Sequence, residues 1–313
     1  MIEMQIAMAY SGVILIWSTT PMAMKWSTED VGFLFGLISR MGIATAIAVL
    51  FCCMLNKRPS LDARALKTYA ATGSSTYLAM MSSYWGVQYI PSGWVSVIFG
   101  LSPIFTSVIA SRYLGERTVG LVKTGSLFLS LAGLWIMFRL GLGTGTTEFH
   151  GIAMVVAGVL FHSLGIVAVK QIKADITPLS TLTGTLVVSL LLFLATWVIG
   201  DYETPATIPI RAAGAILYLG IVGSVLGFLL FFYVLQHVDA TRASLITLIT
   251  PGNALILGHL LNNEPLTRNI ILGAGMIVGG LLLFQYDRQL SQTVIKLFRR
   301  AWSNKPATIY KIE

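Results

Sequence analysis

Two ionisable side chains stand deep in stretches that are otherwise apolar: Arg40 within FGLISRMGIATAIAVLF and His162 within MVVAGVLFHSLGIVAVK. A guanidinium inside an apolar helix costs about 2.5–3.5 kcal/mol on insertion scales, so Arg40 should face protein and have a partner. Its chemistry allows a bidentate grip on a carboxylate or phosphate. Alternatively it snorkels, or caps carbonyls of a neighbouring helix. His162 is the one deeply placed group that titrates near neutral pH, which makes it either a proton relay or a histidine satisfied by packing. No Asp or Glu lies in the middle of any apolar run. A proton-coupled carrier of cationic drugs would be expected to have one there, as a shared site for proton and drug.

Carboxylates appear instead at the ends of runs. Glu116 and Glu264 each follow a proline, Pro103 and Pro251, at the same separation. Each proline removes a backbone donor, leaving the carbonyls of Phe99 and Thr247 without their usual partners. At membrane depth such groups are tolerated only where protein or a water-filled cavity satisfies them. Both runs are therefore expected to bend around a central cavity, the alternative being a packing kink with no substrate contact. The glutamates either meet the positive end of the helix that follows them or form gate ion pairs. The basic residues at hand are Arg112 or Arg117 for Glu116 and Arg268 for Glu264.

The stretch TGSSTYLAMMSSYWGVQYI is polar and aromatic throughout. At helical spacing Tyr77, Tyr84 and Trp85 share a broad flank that, with Trp94, would line a cavity that stacks flat apolar substrates. Its small hydroxyls also suit close helix packing. Trp94 and Tyr89, near the ends of runs, suit the aromatic belt at the membrane interface. Across the presumed axis, Thr247, Thr250, Asn253 and His259 offer further polar groups.

The elements that must position these residues follow from composition. With 55% hydrophobic and 11% charged residues and a mean hydropathy of +0.78, the chain lacks the charged surface of a soluble domain and is expected to be a multi-pass membrane protein. Its runs have the roughly 20 residues that a membrane-crossing helix needs. They fall near residues 5–25, 31–55, 66–88, 92–113, 119–139, 150–170, 178–199, 210–236, 240–261 and 269–286. This predicts an all-α integral membrane protein of ten transmembrane helices. MIEMQ has no basic residue and no cleavage site follows it, so the first run is read as a span and not a secretory signal. Placing both termini in the cytoplasm puts sixteen basic residues inside and four outside, a positive-inside bias. The net charge of +8 is accounted for by topology, so no nucleic acid partner is expected. Cys52 and Cys53 are adjacent, a poor disulfide and no metal site. No cofactor or metal is expected. GLGTGTTEFHG follows no strand and reads as a linker rather than a phosphate loop. Residues 287–313 form a basic cytoplasmic tail, either a helix on the anionic membrane surface or a solvated coil.

The halves echo each other. An offset of 148 residues pairs Pro103 with Pro251, Glu116 with Glu264, Gln88 with Gln236, Ser96 with Ser244 and Gly125 with Gly273; an offset of 145 pairs Lys25 with Lys170. Residues 1–140 and 150–286 are thus read as two five-helix repeats. Five is odd, so the second enters from the opposite side and the repeats are inverted, as in secondary transporters that work by alternating access.

Ten runs in two halves, the pair Trp17-Ser18, Arg40 inside the second run, Pro103 followed by Gly115-Glu116, and Pro251 with Glu264 together resemble the EamA branch of the drug/metabolite transporter superfamily. The resemblance covers the chain up to about Tyr286. It departs at Asn263-Glu264, where the first half has Gly-Glu, and at His162, where a repeat tryptophan would stand. The resemblance implies a central cavity walled by spans three, four, eight and nine, with Trp17 and the two glutamates as gating or helix-end residues. Function is then expected to be export of a small organic metabolite across the cell membrane, an amino acid or a similar zwitterion or anion. A multidrug exporter of lipophilic or cationic compounds is the alternative. No G-x-x-x-x-G-K loop argues for a primary pump, and no paired catalytic residues share a depth, so no enzymatic activity is expected.

Overall fold

An apolar run in a bilayer must satisfy its backbone N–H and C=O groups internally, which helices do. The computed structural model describes residues 2–57, 59–113, 121–137, 139, 146–237 and 246–285, and among these it is helical with no strand. In order, the helices are α1 (Ile2–Trp26), α2 (Phe33–Met54), α3 (Ala63–Gly86), α4 (Ser92–Phe99), α5 (Ser102–Tyr113) and α6 (Leu121–Ile136). There follow α7 (Thr146–Ile172), α8 (Pro178–Ile199), α9 (Ile210–Tyr218), a π-helical segment (Leu219–Leu226), α10 (Gly227–His237), α11 (Ile246–Asn262) and α12 (Arg268–Gln285).

Six described segments are long and apolar enough to cross a membrane: α1, α2, α4 with α5, α7, α8, and the α9–α10 unit. Hydroxyl-rich α3 falls short in hydropathy, while α6 and α12 are apolar but shorter. Helix α7 begins at Thr146, inside the stretch expected to be linker, because Thr146 to Ile152 can continue one helical turn after another without Gly-Gly or Pro to stop it. Glu116, the basic tail and the side chain of Thr247 lie outside the described residues.

Helix ends follow local chemistry. Asp62 caps α3 by accepting the N–H groups of Arg64 and Ala65, both at 2.9 Å, and Thr177 caps α8, with Pro178 in its first turn. Asn263 follows α11 at φ +50°. This left-handed position favours Gly and next Asn, which explains how Asn263 stands where the other half has Gly115.

Small residues set the helix spacing. Gly151, Gly158 and Gly165 lie seven apart on α7, and a Cβ at Gly158 would meet Ser83 Oγ at 2.6 Å and the Ala79 carbonyl at 3.0 Å on α3. The stripe lets the α3 and α7 backbones approach closely, as small residues do in membranes. A similar contact joins α6 and α12, where a Cβ on Gly133 would fall 2.5 Å from the Gly273 carbonyl.

Trp94 is fully buried in the core with Ile98, Leu101 and Ile277, which overturns the interfacial-belt reading. The reason is that α4 is pressed against α11: a Cβ at Gly93 would lie 3.0 Å from Leu255 Cα. Cys52 is buried beside Thr183, 3.3 Å from its hydroxyl, and Cys53 is exposed, both as free thiols.

Candidate functional site

Helix α1 contributes one wall. Pro21 lies inside it, and the hydroxyls of Ser18 and Thr20 donate to the carbonyls of Ile14 (2.7 Å) and Ile16 (2.8 Å). Local side-chain bonds of this kind loosen a helix. Across from it the fourth run is interrupted at Gly100-Leu101, where Leu101 N–H bonds the Ile98 carbonyl at 2.9 Å and α5 restarts at Ser102. Pro103 therefore occupies the first turn of α5, where its missing donor is not needed. Ser163 of α7 donates to the Ser102 carbonyl at 3.3 Å. Pro251, by contrast, is buried inside α11, which continues as one helix through it.

Between these walls lies a cavity of about 340 Å³, lined from α1, α2, α3, α4, α5, α7, α8, the π segment, α10 and α11. Trp17, Arg40, Phe99 and His162 line it, as do Thr250 and Lys170. Trp17 lies in the interior of α1 with its ring 4.7 Å from Phe231, so it is a wall residue rather than a helix-end one. His162 stands 6.0 Å from the Phe99 ring.

Arg40 is 1% exposed. Its Nε donates to Ser224 Oγ at 2.8 Å and its Nη1 to Tyr84 Oη at 3.1 Å, with the Tyr84 ring centroid 5.9 Å from Cζ. Ser224 belongs to the π segment, whose wider turn presents it; such segments are frequent at functional sites. Gly223 lies beside the guanidinium: a Cβ there would be 3.6 Å from Nη2, an ordinary van der Waals contact. Among the described residues no carboxylate is within ion-pair distance of Arg40.

The other predicted residues are placed elsewhere. Tyr77 shares a 2.7 Å hydrogen bond with Thr196 and packs on Phe193 at 5.0 Å, so it serves the α3–α8 contact. Tyr84 acts through Arg40, and Trp85 packs on Tyr89 at 4.6 Å at the end of α3. Asn253 Nδ2 donates to Ser18 Oγ at 3.3 Å, tying α11 to α1. Thr20, Pro21, Ser96 and Lys170 of the wall were missed as site residues; the signal was the TTP step in the first run.

The cavity reaches Lys170 and the α7–α8 connection, while the far end is shut. There Glu264, 7% exposed, accepts the N–H groups of Ser92 (2.8 Å) and Gly93 (3.2 Å). It thus caps α4 of the other half and not the helix that follows it, a carboxylate on a positive helix end. Asn262 Nδ2 donates to Glu264 at 2.8 Å, and Lys25 Nζ is 3.8 Å away, so the ion pair is with Lys25 instead of Arg268. Gly258 makes room, since a Cβ there would lie 2.5 Å from Glu264 Oε2. Trp26 Nε1 donates to Asn262 at 3.0 Å, and Arg211 stacks on Trp26 at 4.3 Å while pairing with Glu29 at 3.5 Å. The ends of α1, α4, α9 and α11 are thereby fastened together.

Known proteins share the family and the fold of this chain. The model of the EamA-like transporter family matches residues 5–139 and 149–286. "Uncharacterized transporter YoaV" of Bacillus subtilis is 28% identical over 88% of this chain and 96% of its own. A "Probable terminal-alkyne amino-acid exporter" of Streptantibioticus cattleyicolor is 24% identical over 86% of this chain and 90% of its own. A crystal structure shares the fold with a TM-score of 0.62 over 89% of this chain and 95% of that one, at 16% identity.

Proposed function

The chain belongs to the EamA-like transporter family, and on that premise we propose that it exports a small organic metabolite carrying a carboxylate, an amino acid or similar zwitterion or anion. The observation that carries this reading is Arg40: a buried guanidinium in a cavity wall, held by two neutral hydroxyls and with no acidic partner among the described residues. A buried charge without a counter-ion is unfavourable, and a substrate carboxylate would supply one. The cavity volume of about 340 Å³ is at the small end for ligand pockets and suits a metabolite. The relative described as an amino-acid exporter is in keeping with this.

Ten spans in two inverted repeats, with both termini in the cytoplasm of a cell-membrane protein, would place the Lys170 end inside and the Lys25–Glu264 cluster outside. The described conformation is then the inward-facing one of an alternating-access cycle. In the other conformation, the fastening around Glu264 would part while the equivalent end near Glu116 closes. His162, beside Phe99, is retained as the candidate proton relay only if transport proves to depend on a pH gradient.

The test is a melting-temperature screen of the purified protein in detergent against amino acids, organic acids, sugars, nucleosides and lipophilic cations. A ligand that binds only the folded state raises the melting temperature. Shifts confined to carboxylates support the reading; stabilisation by unrelated cations, with none from carboxylates, refutes it and favours a multidrug exporter.

A further inference from the structure

The charge inventory of the cavity carries the substrate class further. Its ionisable lining residues are Arg40, His162 and Lys170, and among the described residues no Asp or Glu lines it. Helix α3 supplies hydroxyls whose protons are already committed to their own helix: Thr72 donates to Thr68 (2.7 Å), Ser75 to Thr72 (3.0 Å) and Ser83 to Ala79 (2.7 Å). Their oxygens can still accept a bond, but neutral acceptors recover only part of the hydration an ammonium loses on burial. A zwitterion held by its carboxylate at Arg40 would leave the charge of that buried guanidinium uncompensated, whereas a monoanion cancels it; Lys170, the other cationic lining residue, is partly exposed at the end by the α7–α8 connection, where water can solvate it. Much of the remaining wall is aromatic, with Trp17, Phe99, Phe228, Phe231 and Phe232 lining the same cavity.

Resting on the transport reading above, we infer that the substrate is an organic monoanion with an apolar body and no ammonium group. Its carboxylate meets Arg40 and its body lies on the aromatic wall. The anion crosses as a net negative charge. No titratable carboxylate is needed to couple its export, because an inside-negative membrane potential already drives an anion outward. At about 100 mV the potential supplies about 2.3 kcal/mol per charge, which corresponds to a roughly fiftyfold concentration ratio at equilibrium. The lack of a midspan Asp or Glu then follows from the substrate's own charge.

Matched pairs test this: 3-phenylpropionate against phenylalanine, and 4-methylpentanoate against leucine, with phenethylamine as the amine-only control. Binding is read by melting-temperature shift and calorimetry on the full chain in detergent. Each acid is expected to bind at least tenfold more tightly than its amino acid, with the amine inert and the preference lost in Arg40→Gln. Arg40→Lys, which keeps the charge, should retain the acid preference at lower affinity and guards against a folding defect in the first variant. In proteoliposomes, the initial acid uptake in excess of that into protein-free liposomes, through which the protonated acid diffuses unaided, should follow a valinomycin-clamped potential and should not be raised by a pH gradient alone. Equal or tighter binding of the amino acids, or excess uptake indifferent to potential, overturns the inference while leaving the transporter reading intact. If neither acid binds but other carboxylates in the wider screen do, the inference about apolar monoanions is likewise overturned. If no carboxylate of any kind shifts the melting temperature, both readings fall.

Discussion

Glu264→Gln tests the closed end of the molecule. The native carboxylate accepts two α4 amides and the Asn262 amide, and lies 3.8 Å from Lys25. Glutamine offers one carbonyl oxygen, so one of the two buried N–H groups, or Asn262, must lose its acceptor. An unsatisfied buried group costs about 1–3 kcal/mol, and the lost charge at the helix end adds up to about 2 kcal/mol. A total of about 1–5 kcal/mol against the closed end shifts the equilibrium at least about fivefold toward opening. The assay places a cysteine at Val95, a cavity-lining residue 3% exposed, in a background with Cys52 and Cys53 replaced by alanine. An impermeant thiol reagent is added from the Lys25 side of reconstituted vesicles. Labelling should accelerate at least about fivefold in the Glu264→Gln variant, with cooperative melting retained. An unchanged rate would refute the idea that this cap holds the end shut.

Three further outcomes are expected. Gly158→Val should lower the melting temperature, by the roughly 1–3 kcal/mol of an overpacked contact, because its Cβ meets Ser83 and the Ala79 carbonyl; a thermal scan checks it. Asp62 is held below its ordinary pKa first by the Ser60 hydroxyl and then by the Ala65 amide. The α3 cap it provides is therefore fully present above the unfolded-state carboxylate pKa and is lost as pH falls through the lower folded value, and Asp62→Asn should flatten that part of a stability–pH profile. Cysteines placed beside Glu116 and Glu264 should label from opposite faces of the membrane; labelling from one face would sink the inverted-repeat reading.

What the sequence made legible was decided by forces that act along one chain segment. Apolar runs announce helices because the bilayer leaves no other way to satisfy the backbone, and Arg40 announces a buried polar site because its cost is so high. The partner of Glu264 was not legible in this way. Its carboxylate caps Ser92 and Gly93, 172 and 171 positions away, and nothing local distinguishes that from capping the next helix. Trp94 and Tyr77 carry the composition of belt or cavity residues, yet the close approach at Gly93 and the hydroxyl of Thr196 draw them into helix contacts. The π segment that offers Ser224 to Arg40 reads as an ordinary apolar helix in sequence. Pro21 was visible but outshone by two prolines that repeat.

Uptake of a carboxylate that raises the melting temperature, followed side by side in proteoliposomes of the native protein and of Arg40→Gln, tests the central claim most directly. The account predicts saturable uptake by the native protein and loss of it in a variant that still folds, since the guanidinium is the substrate's counter-ion. Undiminished uptake by Arg40→Gln would contradict it and remove Arg40 from the site.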